Sequence, residues 1–303
     1  MKTNKFFITC LFILIIITGC RENEREKSSI MFSLKDDLNV TVNFEKHPSK
    51  IICLAPSLTE MIYKIKYDEY LIGNTLYCNY PEDAQNKSKV GDMLTIDFEK
   101  IISLKPDLIL ISVEGNNKSA YEKLIELGFK TFVSNPRNYE GIKKTYLDLG
   151  KITGREKESE AQVNEWQNIV NDIVSKSDSL KSKTVMFLIS INPLMLAGKH
   201  TFINEYISFC GFKNITDDLE MNYPVFSREE VLKRNPDYIV FANSGAMAIE
   251  QIANSYPEWK NINAVKNNNI ISVDADMYLR PGPRFVPALQ DFFKKTRYPF
   301  LSE

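Results

Sequence analysis

The chain has 303 residues, 44% of them apolar and 25% charged, and a formal net charge of −1. This content fills one large core or two moderate ones, and the balanced charge leaves no basic excess for nucleic acid. Two histidines and five cysteines without a CxxC spacing argue against a zinc module, a disulfide framework and a histidine-rich bare-metal site.

The first residues read MKTNKFFITCLFILIIITGC. Lys2 and Lys5 precede an uncharged run over residues 6–17, apolar apart from Thr9. That is about half of what a spanning helix needs, so the run reads as an export signal. Ile17-Thr18-Gly19-Cys20 resembles the bacterial lipobox. It implies a signal peptide over residues 1–19 and a lipidated Cys20 carrying diacylglyceryl and palmitate-like chains. Each buried CH₂ contributes roughly 0.8 kcal/mol, so two or three chains hold the protein to a bilayer almost permanently. Residues 20–30 are too charged to fold and read as a tether. Loss of residues 1–19 removes two lysines and no acid, which moves the net charge from −1 to −3. The expected location is extracytoplasmic and membrane-anchored, on the periplasmic or cell-surface side.

The first lobe is expected over residues 31–139. His47, just before Pro48, reads as part of a solvated loop, and Lys50 to Leu54 as a buried strand. A helix follows from Ser57 to Tyr63, with Ser57 and Glu60 spaced as a capping box. Tyr77-Cys78-Asn79-Tyr80-Pro81 is a loop. Residues 97–111, DFEKIISLKPDLILI, give a short amphipathic helix, a Pro-Asp turn and a strand. Proline cannot continue the helix, and its fixed φ launches the strand.

Residues 140–180 read as connecting helices, with Gly154 at a helix end. Val163, Trp166, Ile169, Val170, Ile173 and Val174 recur at helical spacing. A helix over residues 155–178 would span roughly 35 Å, enough to bridge two lobes. The second lobe is expected over residues 181–303, with a strand from Lys183 to Ile189 and a helix from Thr201 to Phe209 preceded by His200. Tyr223 falls in a loop. Residues 227–241, SREEVLKRNPDYIVF, repeat residues 97–111 at a constant offset of 130. Glu99 thus aligns with Glu229, and Asp107 with Asp237. If Asp97 and Ser227 are N-caps, both glutamates take the second helical position, where the macrodipole favours an anion. Glu230 has the spacing to complete a Ser227 capping box, which leaves Glu229 free to point outward. The expected class is α/β, with two similar lobes of mainly parallel sheet joined by one long backbone helix and a ligand cleft between them. A single larger α/β domain with a long helix is the alternative.

Six segments occur in a characteristic order: IICLAPSLTEMIY, YCNYP, IISLKPDLILI, INPLMLAGKHTFINEY, SREEVLKRNPDYIVF and YLRPGPR. Together they resemble the helical-backbone substrate-binding proteins of ATP-driven importers, with the cobalamin-binding branch nearest. The resemblance implies a clamp that catalyses nothing and presents its ligand to a permease dimer powered by ATPase subunits. It implies docking of Glu99 and Glu229 on permease arginines. It also implies a pocket built from Tyr77, Met93, Met195, Tyr223 and Arg280. Met93 and Met195 stand where that branch carries aromatic rings, Tyr223 where it has tryptophan, and Ser112 replaces another tryptophan. Methionine is an adaptable filler, whereas flat rings suit a macrocycle. The implied cargo is cobalamin or a related corrinoid, with haem or a ferric siderophore as alternatives, and no resident cofactor or metal. Tyr77 or His200 would serve as axial ligand in a haem or cobalt variant. No G-x-S-x-G, P-loop or G-x-G-x-x-G is present. A chelatase-like activity is the least implausible enzyme reading.

Overall fold

A computed structural model describes residues 29–177, 182–243 and 255–297. The export signal, Cys20, nearly all of the tether and the last residue of the expected 155–178 helix lie outside the described residues.

The chain first forms a hairpin that the sequence reading did not identify. Strands β1 (Phe32–Lys35) and β2 (Thr41–Phe44) pair antiparallel, with buried positions alternating along β2. Asp36 closes the turn by accepting from Leu38 N and Val40 N, both at 2.9 Å.

Strands β3 (Ile51–Cys53), β4 (Leu71–Asn74), β5 (Ser88–Lys89), β6 (Leu108–Ser112) and β7 (Thr131–Ser134) form the first main sheet. The order is β5-β4-β3-β6-β7 and every pairing is parallel. Between them come helices α1 (Pro56–Lys64), α2 (Phe98–Leu104) and α3 (Lys118–Glu126). The second sheet contains β8 (Thr184–Ile191), β9 (Leu194–Leu196), β10 (Lys213–Asn214), β11 (Tyr238–Asn243) and β12 (Ile270–Asp274). Its order is β10-β8-β11-β12, all parallel, with β9 folded back antiparallel on β8.

Helices α4 (Tyr139–Thr153) and α5 (Glu156–Ser175) connect the lobes. The 20 residues of α5 span about 30 Å at 1.5 Å per residue. Gly154 ends α4 in the left-handed conformation, φ 69°, as its position in the sequence suggested. His47 departs from its expected solvated loop. It is half-buried, with Nδ1 2.9 Å from Ile152 O, and so helps to satisfy the last turn of α4.

The repeat read at an offset of 130 is present in three dimensions. α2 is N-capped by Asp97, which accepts from Lys100 N at 2.9 Å. Helix α7 (Arg228–Arg234) is N-capped by Ser227, which accepts from Glu230 N at 3.1 Å. Lys105 and Asn235 then terminate them in the left-handed region, at φ 50° and 45°. Asp107 accepts from Ser49 N at 2.8 Å and Lys50 N at 3.0 Å, which ties the turn to the start of β3. Asp237 accepts from Thr184 N at 3.0 Å and repeats this tie at the start of β8.

Strand residues alternate between two cores, because successive side chains point to opposite faces. In the first sheet Ile51, Cys53, Leu108 and Leu110 face a core shared by both lobes, while Ile52, Ile109 and Ile111 face an outer one. In the second, Val185, Phe187 and Val240 join the same shared core, and Met186, Leu188, Ile239 and Phe241 face another outer layer. Burial on both faces explains the near-continuous apolar strands. The lobes are therefore distinct as sheets but continuous in their packing. Helix α6 (Phe202–Phe209) and the C-terminal helix Phe285–Arg297 complete the seam. There the Phe285 ring stacks on Tyr139 at 5.1 Å and on Tyr206 at 4.7 Å.

Candidate ligand-binding cleft

In the first sheet the chain winds outward in both directions from β3, so β3 and β6 flank the topological switch point. Loops leaving there diverge and open a crevice, the usual place for a ligand in an open α/β sheet. A cavity of about 330 Å³ lies there, within the range of small-molecule sites. Its walls are residues at or just past strand ends: Ala55–Ser57 after β3, Tyr77 after β4, Met93 after β5, Ser112 at the end of β6, and Glu114 and Gly115 after it. The opposite wall, Ala275, Asp276, Leu279, Arg280 and Pro281, follows β12 of the second sheet.

Local chemistry fixes these loops. Cys78, one residue beyond Tyr77, is buried with its Sγ 3.2 Å from Thr59 Oγ1 and 3.3 Å from Thr75 Oγ1. Cys53, Cys78 and Cys210 are all free and buried. Met93 rides on a turn whose Gly91 has φ 93°. A Cβ there would lie 2.2 Å from Thr95 O, so only glycine fits. Asp92 Oδ1 accepts from Leu94 N at 2.7 Å and Thr95 N at 2.6 Å and closes this turn. Asn116 clamps the loop after β6. It accepts from Ser112 N and donates to Leu54 O and Met93 O, each at 3.0 Å.

The expected pocket set divides in two. Tyr77, Met93 and Arg280 line the cavity together with Ser112. Met195 and Tyr223 do not. Met195 sits on β9 bridged to Val225, and residues 222–226 run along that strand. Tyr223 packs against the shared core, and its hydroxyl pKa is raised by burial and then by the nearby Glu114 charge. His200 stands elsewhere, exposed, with Nε2 2.7 Å from Glu220 Oε2. Among the described residues no group of three or more His, Cys, Asp or Glu is placed to hold a metal ion.

Arg280 is not a free cation. Its Nη1 donates to Glu60 Oε1 at 3.0 Å and Asn79 Oδ1 at 2.8 Å, and Nη2 donates to Tyr77 O at 3.2 Å and to Asp276. Arg284 donates to the same Glu60, Nε to Oε2 at 2.8 Å and Nη2 to Oε1 at 2.7 Å, and covers the Tyr80 ring at 4.4 Å. The Glu60 side chain is only 1% exposed. Burial drives its pKa up, while Arg284 and then Arg280 oppose that shift. The Ser57–Glu60 capping box is therefore not made. Ala55 is the N-cap, with no side-chain bond, and Pro56 opens the helix, where its missing N–H costs nothing. Glu60 serves instead to latch α1 to the segment after β12. Glu114 differs from these groups: it lines the cavity and its pKa is raised by burial, partly offset by Arg137.

Glu99 and Glu229 are exposed, each at the second residue of its helix. Glu230 does not complete a capping box. Its carboxylate takes Arg234 Nε at 2.8 Å. Glu229 is held below the usual carboxylate range by its own backbone N–H and the Ser227 hydroxyl.

Two mainly parallel sheets, a shared core between them and an apolar cavity at strand ends define a two-lobed solute receptor. Residues 51–277 match the periplasmic binding protein family, and the chain belongs to it. It is a binding protein and not an enzyme. It is 29% identical over 297 residues to an uncharacterized ABC transporter substrate-binding lipoprotein of Bacillus subtilis, with 93% of each chain covered. The periplasmic vitamin B12 binding protein of Vibrio cholerae superposes with a TM-score of 0.72 at 27% identity, covering 83% of this chain and 97% of that one. A possible iron-binding, periplasmic solute-binding protein of Staphylococcus epidermidis gives 0.73 at 30% identity, covering 82% and 98%.

Proposed function

We propose that this protein captures cobalamin or a related corrinoid outside the cytoplasmic membrane, anchored by lipid on Cys20, and delivers it to the permease dimer of an ABC importer. The observation that carries this reading is the apolar cavity at the switch point, walled by Tyr77, Met93 and Leu279. Leu76, Leu94 and Val113, next in the chain to lining residues, are exposed and extend the apolar rim. Such a rim suits a ligand wider than the cavity itself. The vitamin B12 binding relative supports the same ligand class. Glu99 and Glu229 supply a pair of exposed carboxylates, one per lobe, for a two-fold permease. The Cys20 anchor would keep receptor and permease on one surface and raise their effective concentration.

A haem or ferric-chelate cargo is the second reading. It is favoured by Tyr77, a residue 55% exposed whose hydroxyl has no partner among the described residues. A phenolate so placed suits ferric iron. The protein titrated with cobalamin, cobinamide, haem and a ferric siderophore, followed by absorbance and heat, separates the two. Nanomolar corrinoid binding, about −12 kcal/mol, is the expected result. A Soret band that shifts on Tyr77→Phe, with no corrinoid binding, would replace it with the haem reading.

A further inference from the structure

Ionisable groups around the cavity fall into two sets. On one side Glu60, Asp276, Arg280 and Arg284 form a closed network of two carboxylates and two guanidiniums. It is neutral overall, and both terminal nitrogens of Arg280 are committed within it. On the other side Glu114 stands at the tip of the turn after β6. It makes no hydrogen bond or ion pair among the described residues. Its charged neighbour is Arg137, past the end of β7, and the neutral Tyr223 hydroxyl approaches from the other lobe. The backbone carrying Glu114 is fixed by three Asn116 side-chain bonds, so this carboxylate is held at the cavity wall. The cleft thus offers a ligand an uncommitted hydrogen-bond acceptor and no uncommitted guanidinium in its lining.

We infer that Glu114 is a specificity-determining residue, which accepts hydrogen bonds from the amide N–H groups of the ligand rim and rejects rims that carry carboxylates. This deepens, and rests on, the corrinoid reading of the cleft. A corrin ring fringed with amides presents donors to Glu114. The same ring fringed with carboxylates, or a porphyrin with propionates, presents like charge to a carboxylate fixed in the cavity wall, and like charges at contact distance repel. Selection against the wrong ligand through an opposed charge is an efficient route to specificity, since it needs no extra attraction to the right one.

The test compares cobinamide, whose rim is amidated, with cobyrinic acid, whose rim is carboxylated, on the full protein and on Glu114→Gln and Glu114→Lys. Wild type is expected to prefer cobinamide. Glu114→Gln weakens cobinamide about tenfold, the loss of a charge-assisted hydrogen bond. Glu114→Lys tightens cobyrinic acid about tenfold or more through a new charge pair, while thermal unfolding is unchanged. Affinities of both corrinoids within about twofold of wild type in both variants overturn the inference, since a hydrogen bond to a charged group is worth more than that. A wild-type protein that binds haem but neither corrinoid overturns the corrinoid reading alone. Glu114→Lys must then tighten haem through its propionates, and unchanged haem affinity overturns the role of Glu114. Binding of none of these ligands overturns both.

Discussion

The two lobes contain the same helix, Pro-Asp turn and strand, yet they finish their strands differently. In the first, five parallel strands all run toward the cleft, and the loops after four of them build the cavity wall. In the second, β9 turns back on β8, and residues 222–226 lie along β9. That hairpin lies along the edge of β8 away from β11, and the second lobe reaches the cavity through Ala275, Asp276 and Leu279 to Pro281, after β12. What is duplicated sets position: N-caps, left-handed helix ends and the aspartate ties at 107 and 237. What is not duplicated lines the cavity. Loops tolerate such divergence because the scaffold beneath them is already stable.

The largest effect is expected where the duplication faces a partner. Glu99→Arg combined with Glu229→Arg should abolish uptake in cells while the purified protein keeps its ligand affinity and unfolding midpoint. Both side chains are exposed at helix starts, away from the cavity lining. Under the proposed docking on cationic permease groups, reversal turns two attractive contacts into repulsive ones, and like-charge juxtaposition costs several kcal/mol. Either single reversal should leave intermediate uptake. Full uptake by the double variant would remove the docking role from both residues.

The next effect tests the unduplicated side. Glu60→Ala strands Arg280 and Arg284, whose side chains are 12% and 15% exposed, beside a buried site. Removing one partner of a buried ion pair costs about 3–5 kcal/mol, because the remaining charge keeps its desolvation penalty. Urea unfolding measures this. The exposed Lys130–Glu45 pair, at 2.7 Å, is the internal control, since Lys130→Ala should cost about 1 kcal/mol or less. Similar losses at the two places would show that Glu60 is no latch. Intact affinity with lowered stability would show that Arg280 acts on the fold more than on the ligand.

These cases also mark what the sequence could show. The repeat, the Asp97 and Ser227 caps, the Gly154 helix end and the long α5 were legible because each depends on residues within a turn or two. The first hairpin is also local, with alternation in TVNF, but its strands are only four residues long and follow close behind the tether, too short to carry a clear pattern. Glu60 misled for a physical reason: S-x-x-E spacing is a capping signal only if the serine precedes the helix, and Pro56 starts the helix one residue earlier. Its true partners lie 220 and 224 residues away, beyond any periodicity. Tyr77, Met93 and Arg280 line the cavity, and no periodicity marks them; only the family resemblance points to them. Met195 and Tyr223 lie outside it because β9 draws their segments together. Glu114 carried no signal at all, since a glutamate in a polar loop reads as surface until the opposite lobe is in place.

The smallest effect tests whether the duplicated ties are equivalent. Asp107 holds Ser49 and Lys50 through two backbone bonds and the Ser49 hydroxyl, at 2.8–3.0 Å. Asp237 holds Thr184 through its N–H at 3.0 Å and its hydroxyl at 3.2 Å, and pairs with Lys183 at 3.2 Å. Asp107→Ala and Asp237→Ala should each cost about 1–3 kcal/mol, the range for hydrogen bonds to a charged acceptor plus the donors left unsatisfied. Additivity is expected in the double variant, because the ties belong to separate sheets. Asp237 adds a pH signature. Burial alone would raise its pKa, but the Thr184 N–H and the Lys183 ammonium outweigh this and hold it below its ordinary 3.8. A depressed folded pKa means that the contribution is complete above the unfolded value and disappears as pH falls through the folded one. The stability gap between wild type and Asp237→Ala should therefore be constant near neutrality and narrow below about pH 4. A gap that widened on acidification would mean that the buried carboxyl is better tolerated neutral than charged, and the tie at 237 would not be the electrostatic brace its geometry describes.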